Sequence, residues 1–241
     1  MTASPRTRVR IVTYNIHRSR GMDRRTRPDR IAAVLGNIDA DIIALQEVIG
    51  ADQHGNGHIE DIGAALGMGW VMAPTRHLRG HLFGNVVLSR FPIREHTQHD
   101  LSWKHCEERG LQRVDVDVHG HLLHVYNVHL GTAILERRYQ AQRLADIVSD
   151  RHVTGRKIVL GDFNEWMRGL TTTLLSSKLK SVELEKFMKR RRTYPGLFPI
   201  LHLDHIYYAG KLEIANITAP RTALSLVASD HLPLVADIDI C

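Results

Sequence analysis

Six apolar, strand-like runs in this chain border small polar clusters, and that placement constrains the fold more than any other feature. Asn15 and His17 follow IVTY, Gln46 and Glu47 follow IIAL, and Asn127 and His129 follow LLHVY. Asp162 and Asn164 follow KIVLG, Asp204 and His205 follow HL, and Asp230 and His231 precede LPLV. Asn and Asp cap turns at strand ends routinely, so any one cluster is unremarkable. Glu47 and His129, however, directly adjoin strongly apolar runs. Burying such groups without partners costs several kcal/mol. Convergence of the six ends on one metal and one substrate phosphate accounts for all of them together.

The runs themselves describe a mixed protein. RVRIVTYNI (8–16) alternates and is β-branched, which predicts a strand, and ADIIALQEV (40–48) reads as a buried one. GWVMAPT, GNVVLSRF, LQRVDVDV and HLLHVYNVHL give four more, the last two joined at His119-Gly120, a hairpin turn. Lys157–Leu160 is a strand, and LDHIYYA, KLEIANI and HLPLVADIDI close the chain as strands. Pro28 opens a helix carrying Ile31, Val34, Leu35 and Ile38 at helical spacing. Ile59, Ile62, Ala65 and Leu66 mark a second helix closed by Gly67, residues 136–151 a third, and residues 169–180 a fourth. Hairpin connections outnumber crossovers. The expected class is α+β with two sheets packed face to face, in one domain spanning 1–241, since no linker or repeat interrupts it.

Composition narrows the location and the partner. Cys106 and Cys241 are too few for a disulfide framework or a cysteine zinc site, and no prenylation box follows Cys241. MTASPRTRVRIV lacks the apolar run of a signal peptide, and no stretch approaches a membrane span. The expected location is cytoplasmic, with peripheral contact to a membrane as a variant. The formal net charge of +6 suggests a poly-anionic partner: nucleic acid, an anionic lipid surface or a phosphorylated small molecule.

TYNIH, LQEV, NVHL, GDFN, LDHIYY and SDHLPL occur in this order. Together they resemble the endonuclease/exonuclease/phosphatase superfamily, which includes abasic-site endonucleases, DNase I, deadenylases, inositol-polyphosphate 5-phosphatases and neutral sphingomyelinases. The resemblance runs from about Val9 to Ile238. It implies a four-layered α/β sandwich around two mixed sheets, with helices outside. It also implies hydrolysis of a phosphate ester by an activated water, with Mg²⁺ or Mn²⁺ as cofactor.

The resemblance carries roles onto matching positions. Glu47 would bind the metal, with Asn15 beside it and Asp230 as a further carboxylate. Asp162 would position or deprotonate the attacking water, and Asn164 would donate to a phosphoryl oxygen. His231 would touch the scissile phosphate, held in one tautomer by Asp204. His129 would be a second donor to the phosphate. Either Asp162 or the Asp204–His231 pair would be the base. Arg109, His17 and Asn127 are further candidates for phosphate contact.

The chain departs from the abasic-site endonucleases. His17 stands where they carry an acidic residue, and Asn127 where they carry a tyrosine. NVHL looks more like the sphingomyelinase, inositol phosphatase and deadenylase pattern. The substrate classes left open are a DNA or RNA phosphodiester, a lipid headgroup phosphodiester and a phosphoinositide-type monoester. A binding module that has lost its chemistry is the rival of another class. Two basic segments could read the partner: Arg18, Arg20, Arg24, Arg25, Arg27 and Arg30, and then Lys186 with Lys189–Arg192. Phe187 and Tyr194 flank the second, making it the candidate for membrane contact. His54/His58 and His77/His81 have a four-residue spacing that suits zinc on a helix, but no HExxH pattern accompanies them.

Overall fold

A strand points successive side chains to opposite faces, so an alternating apolar run can bury both of its faces only between two layers. The computed structural model, which describes residues 7–166, 169–182, 184–189 and 192–240, shows that solution twice. One sheet holds β1 (Thr7–Asn15), β2 (Ile42–Ile49), β3 (Gly69–Leu78), β4 (His81–Ser89), β11 (Leu212–Thr218) and β12 (Leu234–Ile240), in the order β11-β12-β1-β2-β4-β3. The other holds β5 (Ile93–Asp100), β6 (Gly110–Val118), β7 (His121–His129), β8 (Arg156–Asp162), β9 (Lys180–Ser181) and β10 (Asp204–Ala209), in the order β5-β6-β7-β8-β10-β9. Each sheet has one parallel pair, β1–β2 and β7–β8, among antiparallel neighbours. Both are therefore mixed, as expected.

Three apolar layers hold the sandwich. Val9, Ile11, Ile42 and Ala44 of the first sheet meet Val125, Ile158, Leu160 and Ile206 of the second. On the outer face of the first sheet, Val12, Tyr14, Ile43 and Leu45 pack on α1 (Pro28–Ile38) and α2 (His58–Leu66). On the outer face of the second, Tyr126, Val159 and Tyr207 share a cluster with Leu144 and Val148 of α3 (Ile134–Val148) and Leu175 of α4 (Leu170–Ser176). A fifth short helix, α5 (Ser225–Ala228), precedes β12.

The two-residue period explains where the polar clusters point. Val9 and Ile11 face the other sheet, and so does Asn15 at the end of their row. Ile158 and Leu160 lead in the same way to Asp162, Leu123 and Val125 to Asn127 and His129, and Ile42 and Ala44 to Gln46. The polar groups thus gather at one mouth of the space between the sheets. In β2 the pattern breaks at Glu47. Its φ is +55°, and the β2–β4 register shifts between Leu45 and Val48. This bulge returns Val48 to the outer core and frees Glu47 from the alternation.

Several boundaries differ from the sequence reading. β5 has no counterpart there, because this exposed edge strand, IREHTQHD, carries almost no apolar alternation. The fourth helix stops at Ser176, and Lys180–Ser181 pairs with β10 instead. The His119-Gly120 turn forms as expected, with φ of 52° and 86°. Arg79-Gly80 repeats that geometry between β3 and β4. His58 opens α2, whereas His54 precedes it, and His77 and His81 flank a hairpin, so neither pair shares a helix. Phe187 is partly buried and packs against the core between the sheets. Met1–Arg6, Arg190, Arg191 and Cys241 lie outside the described residues.

Asn127 is a correction. It is fully buried, and its Nδ2 donates to Leu45 O at 2.9 Å and Val86 O at 3.0 Å, while its Oδ1 accepts from Gln46 Nε2 at 2.7 Å. It ties the two sheets together in the interior and does not reach a phosphate. Asn127→Leu keeps the branched shape but strands these partners, each costing about 1–3 kcal/mol when left unsatisfied. Urea denaturation should therefore show a loss of about 2–5 kcal/mol, and a loss under about 0.5 kcal/mol, the range of ordinary surface substitutions, would contradict the bridging role.

Candidate active site

Strand register assembles the second sheet's share of the site. His129 of β7 pairs with Asp162 of β8, and Asp162 pairs with Asp204 of β10, so the three lie in one row across the strand ends. Asn15 comes across from the first sheet. Its Nδ2 donates to Asp162 Oδ2 at 3.0 Å and to Glu47 Oε1 at 3.3 Å. The other Asp162 oxygen accepts the Asn164 N–H at 2.9 Å. Gly161, with φ of +151°, allows β8 to pass against the Val128 carbonyl, where any Cβ would overlap.

His231 approaches Asp162 from the loop after α5. Its Nδ1 lies 3.0 Å from Asp204 Oδ2 and its Nε2 3.4 Å from Asp162 Oδ2. Burial alone would lower its pKa. The surrounding carboxylates of Asp204, Asp162 and Asp230 outweigh that and raise it well above the ordinary imidazole value. Burial raises Asp162 above the carboxylate range, and Asp204 adds to this, against the pull of His231 and the Asn15 and Asn164 hydrogen bonds. Ser229 holds the loop in place by donating to Asn15 O at 2.8 Å.

His129 is in the opposite state. Arg109 is buried, and its Nη1 lies 3.2 Å from His129 Nδ1. A guanidinium only donates, so Nδ1 must accept and the imidazole proton sits on Nε2. That nitrogen faces Asp162 Oδ2 at 3.7 Å. Burial and then the Arg109 charge hold the His129 pKa well below its ordinary value, so the ring is a neutral N–H donor. Arg109 is fixed in turn by Glu107 at 2.8 Å, and Glu107 also pairs with Arg76. Arg109 therefore stands behind His129.

The open side is formed by Glu47, Arg18, His17 and Asp230. Arg18 Nε lies 3.8 Å from Glu47 Oε2, and its Nη2 donates to His17 Nε2 at 2.6 Å. His17 Nδ1 then faces Asp230 Oδ1 at 3.5 Å, so both of its nitrogens are engaged by protein groups. His17, Arg18 and Ser19 all have positive φ, between 44° and 58°, as do Glu47 and Asn164. Five non-glycine residues at one mouth thus hold an uncommon conformation, a pattern associated with functional sites. Asn164 spends one Nδ2 hydrogen on Leu130 O at 2.8 Å. Tyr194 is the group the sequence reading did not place at the site. Its ring is 5.0 Å from that of His231, and after burial itself, Asp230, Asp162 and Glu47 raise its phenol pKa.

The donor set suits a hard cation at Glu47 and Asp230. Both offer partly exposed carboxylate oxygens, and Arg18 already supplies part of the positive charge that Glu47 attracts. Asp162, Asp204 and His231 are the one such group, among the described residues, whose ligand atoms lie within 4.8 Å of one another. Both nitrogens of His231 face carboxylates, Asp204 at 3.0 Å and Asp162 at 3.4 Å, which keep its proton on.

Residues 12–231 match the Endonuclease/Exonuclease/phosphatase family, and the chain belongs to it. The family is hydrolytic and acts on phosphate esters. The chain is 31% identical to the uncharacterized protein YbhP of Escherichia coli (strain K12) over 96% of each chain. Among solved structures, an endonuclease/exonuclease/phosphatase family protein of Bacteroides thetaiotaomicron superposes with a TM-score of 0.81 at 17% identity, covering 99% of this chain and 100% of the other. A mannosyl-6-phosphatase of the same organism superposes with a TM-score of 0.76 at 18% identity, covering 95% and 99%. These likenesses establish the shared fold.

The His231 environment makes a spectroscopic prediction. The ring should stay protonated well past neutral pH in imidazole nitrogen NMR titrations. Asp204→Asn removes the closest countercharge and should lower the midpoint by about 1–3 pH units. An unmoved midpoint would show that Asp204 is not the group holding the proton.

Proposed function

We propose that this family member is a divalent-metal-dependent phosphoesterase that hydrolyses a P–O bond with a water activated at Asp162. The observation that carries this reading is the convergence of Asn15, His231 and His129 on Asp162 Oδ2, at 3.0, 3.4 and 3.7 Å. A carboxylate pinned in that position and raised above its usual range is a stronger base than an exposed one, and it is still ionised near neutral pH. His231 already carries its proton, so Asp162 rather than His231 accepts the proton of the attacking water.

The other groups serve the phosphate. His129 presents a neutral Nε2–H and His231 a charged one, both beside the position where negative charge grows. Such donors are worth about 2.7–4 kcal/mol each when removed. Glu47 would hold Mg²⁺ or Mn²⁺ with Asn15 and Asp230 beside it, and the cation would supply Lewis-acid charge to a phosphoryl oxygen. Four carboxylates, Glu47, Asp162, Asp204 and Asp230, surround two cations, His231 and Arg18. A bound divalent cation would bring that count to neutral, and we propose a phosphodiester as the substrate.

Bis(p-nitrophenyl) phosphate tests the chemistry without requiring the natural substrate. Hydrolysis should stop in EDTA and return with Mg²⁺ or Mn²⁺. Asp162→Asn should lower the rate by about 10²–10⁴-fold, the size of a lost acid–base group, while melting like the parent. A near-normal rate in that variant would sink the assignment. Glu47→Gln should shift the metal titration to higher concentration. The rate should fall as pH drops through the raised pKa of Asp162, at a midpoint above the ordinary carboxylate value of about 4.

A further inference from the structure

Six of the nine large apolar side chains that the described residues expose lie in three loops around this site. Ile134 and Leu135 begin α3, and Ile134 is 74% exposed. Trp166 is 58% exposed two residues after Asn164. Leu197, Phe198 and Ile200 lie in the loop after Tyr194, with Phe198 74% exposed. All three loops are built onto site residues. Leu130, just before the first loop, is held by the Asp162 carbonyl and by Asn164 Nδ2. The second continues directly from Asn164, and its neighbour strand is the chain entering Asp204, through Phe163 N to Leu203 O at 2.9 Å. The third is pinned by Gly196 N to Asp230 O at 2.6 Å and by Tyr194 N to Leu201 O at 3.1 Å. The three segments that carry these side chains are therefore anchored around the strand ends that carry His129, Asp162 and Asp204.

Charge in these loops is sorted. Glu136 and Glu165 are both buried. Glu136 turns back onto Ala133 N and Gln140, and Glu165 accepts from Thr171 N and Thr172 N. Arg138, one turn along α3 from Ile134, and Arg192, just before Tyr194, point outward and are exposed. Among the described residues of the three loops, the exposed charge is wholly positive. A soluble substrate pocket would turn its apolar groups inward. A ring of outward Trp, Phe, Ile and Leu side chains with flanking arginines matches the headgroup zone of an anionic bilayer, where Trp settles at the interface and cations meet phosphate.

We infer that this rim docks the protein on an anionic phospholipid bilayer, so that the site meets the phosphate ester of a membrane lipid. The choice of lipid as substrate rests on the phosphoesterase reading, whereas the docking does not.

The test uses the full chain and vesicles of phosphatidylcholine with and without phosphatidylglycerol. Cosedimentation should be strong only with the anionic lipid, fall with salt, and persist in EDTA. Phe198→Ala/Ile200→Ala should weaken it by about tenfold or more, the scale of two lost interfacial contacts. Hydrolysis of bis(p-nitrophenyl) phosphate by that variant should stay at the parental rate, since neither residue touches the reacting groups. In a Trp70→Phe/Trp103→Phe background, bromine-labelled acyl chains should quench Trp166. Absence of vesicle binding, or binding indifferent to the rim variant, overturns the docking. A concentration-dependent dimer that the same variant abolishes, without vesicle binding, assigns the rim to a second copy of this chain and also overturns it. If vesicles bind but the soluble diester is not cleaved, the phosphoesterase reading fails while the docking stands.

Discussion

The hydrogen bond from Asn15 to Asp162 joins two sheets whose contributing residues are 147 positions apart in sequence. Each sheet alone presents a polar group at the end of an apolar row, which is costly to bury. Brought together, each satisfies the other. The apolar layer between the sheets supplies most of the attraction, but this bond and the Asn127–Gln46 pair decide how the two sheets align at their polar mouth. Without that alignment Glu47 and Asp162 would not share a neighbour, and the row from His129 to Asp204 would face apolar side chains.

The two histidines show how local context gives one residue type two chemistries. Both are buried and both lie within 4 Å of Asp162 Oδ2. His129 has an arginine behind it and is neutral. His231 has an aspartate behind it and is charged. Burial pushes both toward neutrality, so the sign of the backing charge decides the outcome. Arg109 acts on the site from this rear position. Its guanidinium is buried between His129 and Glu107.

Much of this was legible from residue order. The apolar runs, the helix from Pro28, the His119-Gly120 turn and the six polar strand ends all follow from two-residue and helical periods. What the sequence concealed was decided by neighbours far along the chain. Asn127 looks like the other strand-end groups, but it sits two residues deeper than His129, where β2, β4 and β6 close over it. β5 has no apolar alternation because only its pairing with β6 defines it. Phe187 reads as part of a membrane-facing segment, yet it packs against the core between the sheets. The exposed apolar residues come later, in a Pro- and Gly-containing loop that has no periodicity to read. Tyr194 has no motif of its own and becomes part of the site only because Gly196 and Leu232 tie its segment to the His231 loop.

The row of His129, Asp162 and Asp204 has one more consequence. Its spacing is set by the separation of hydrogen-bonded strands, about 4.8 Å, a constant of peptide geometry that no side-chain change can stretch. The row of strand ends therefore works as a ruler, holding the three side chains at fixed intervals. Length and composition can change in the loops beyond the strand ends without altering that spacing. A chain built this way can acquire a new substrate without relearning its chemistry.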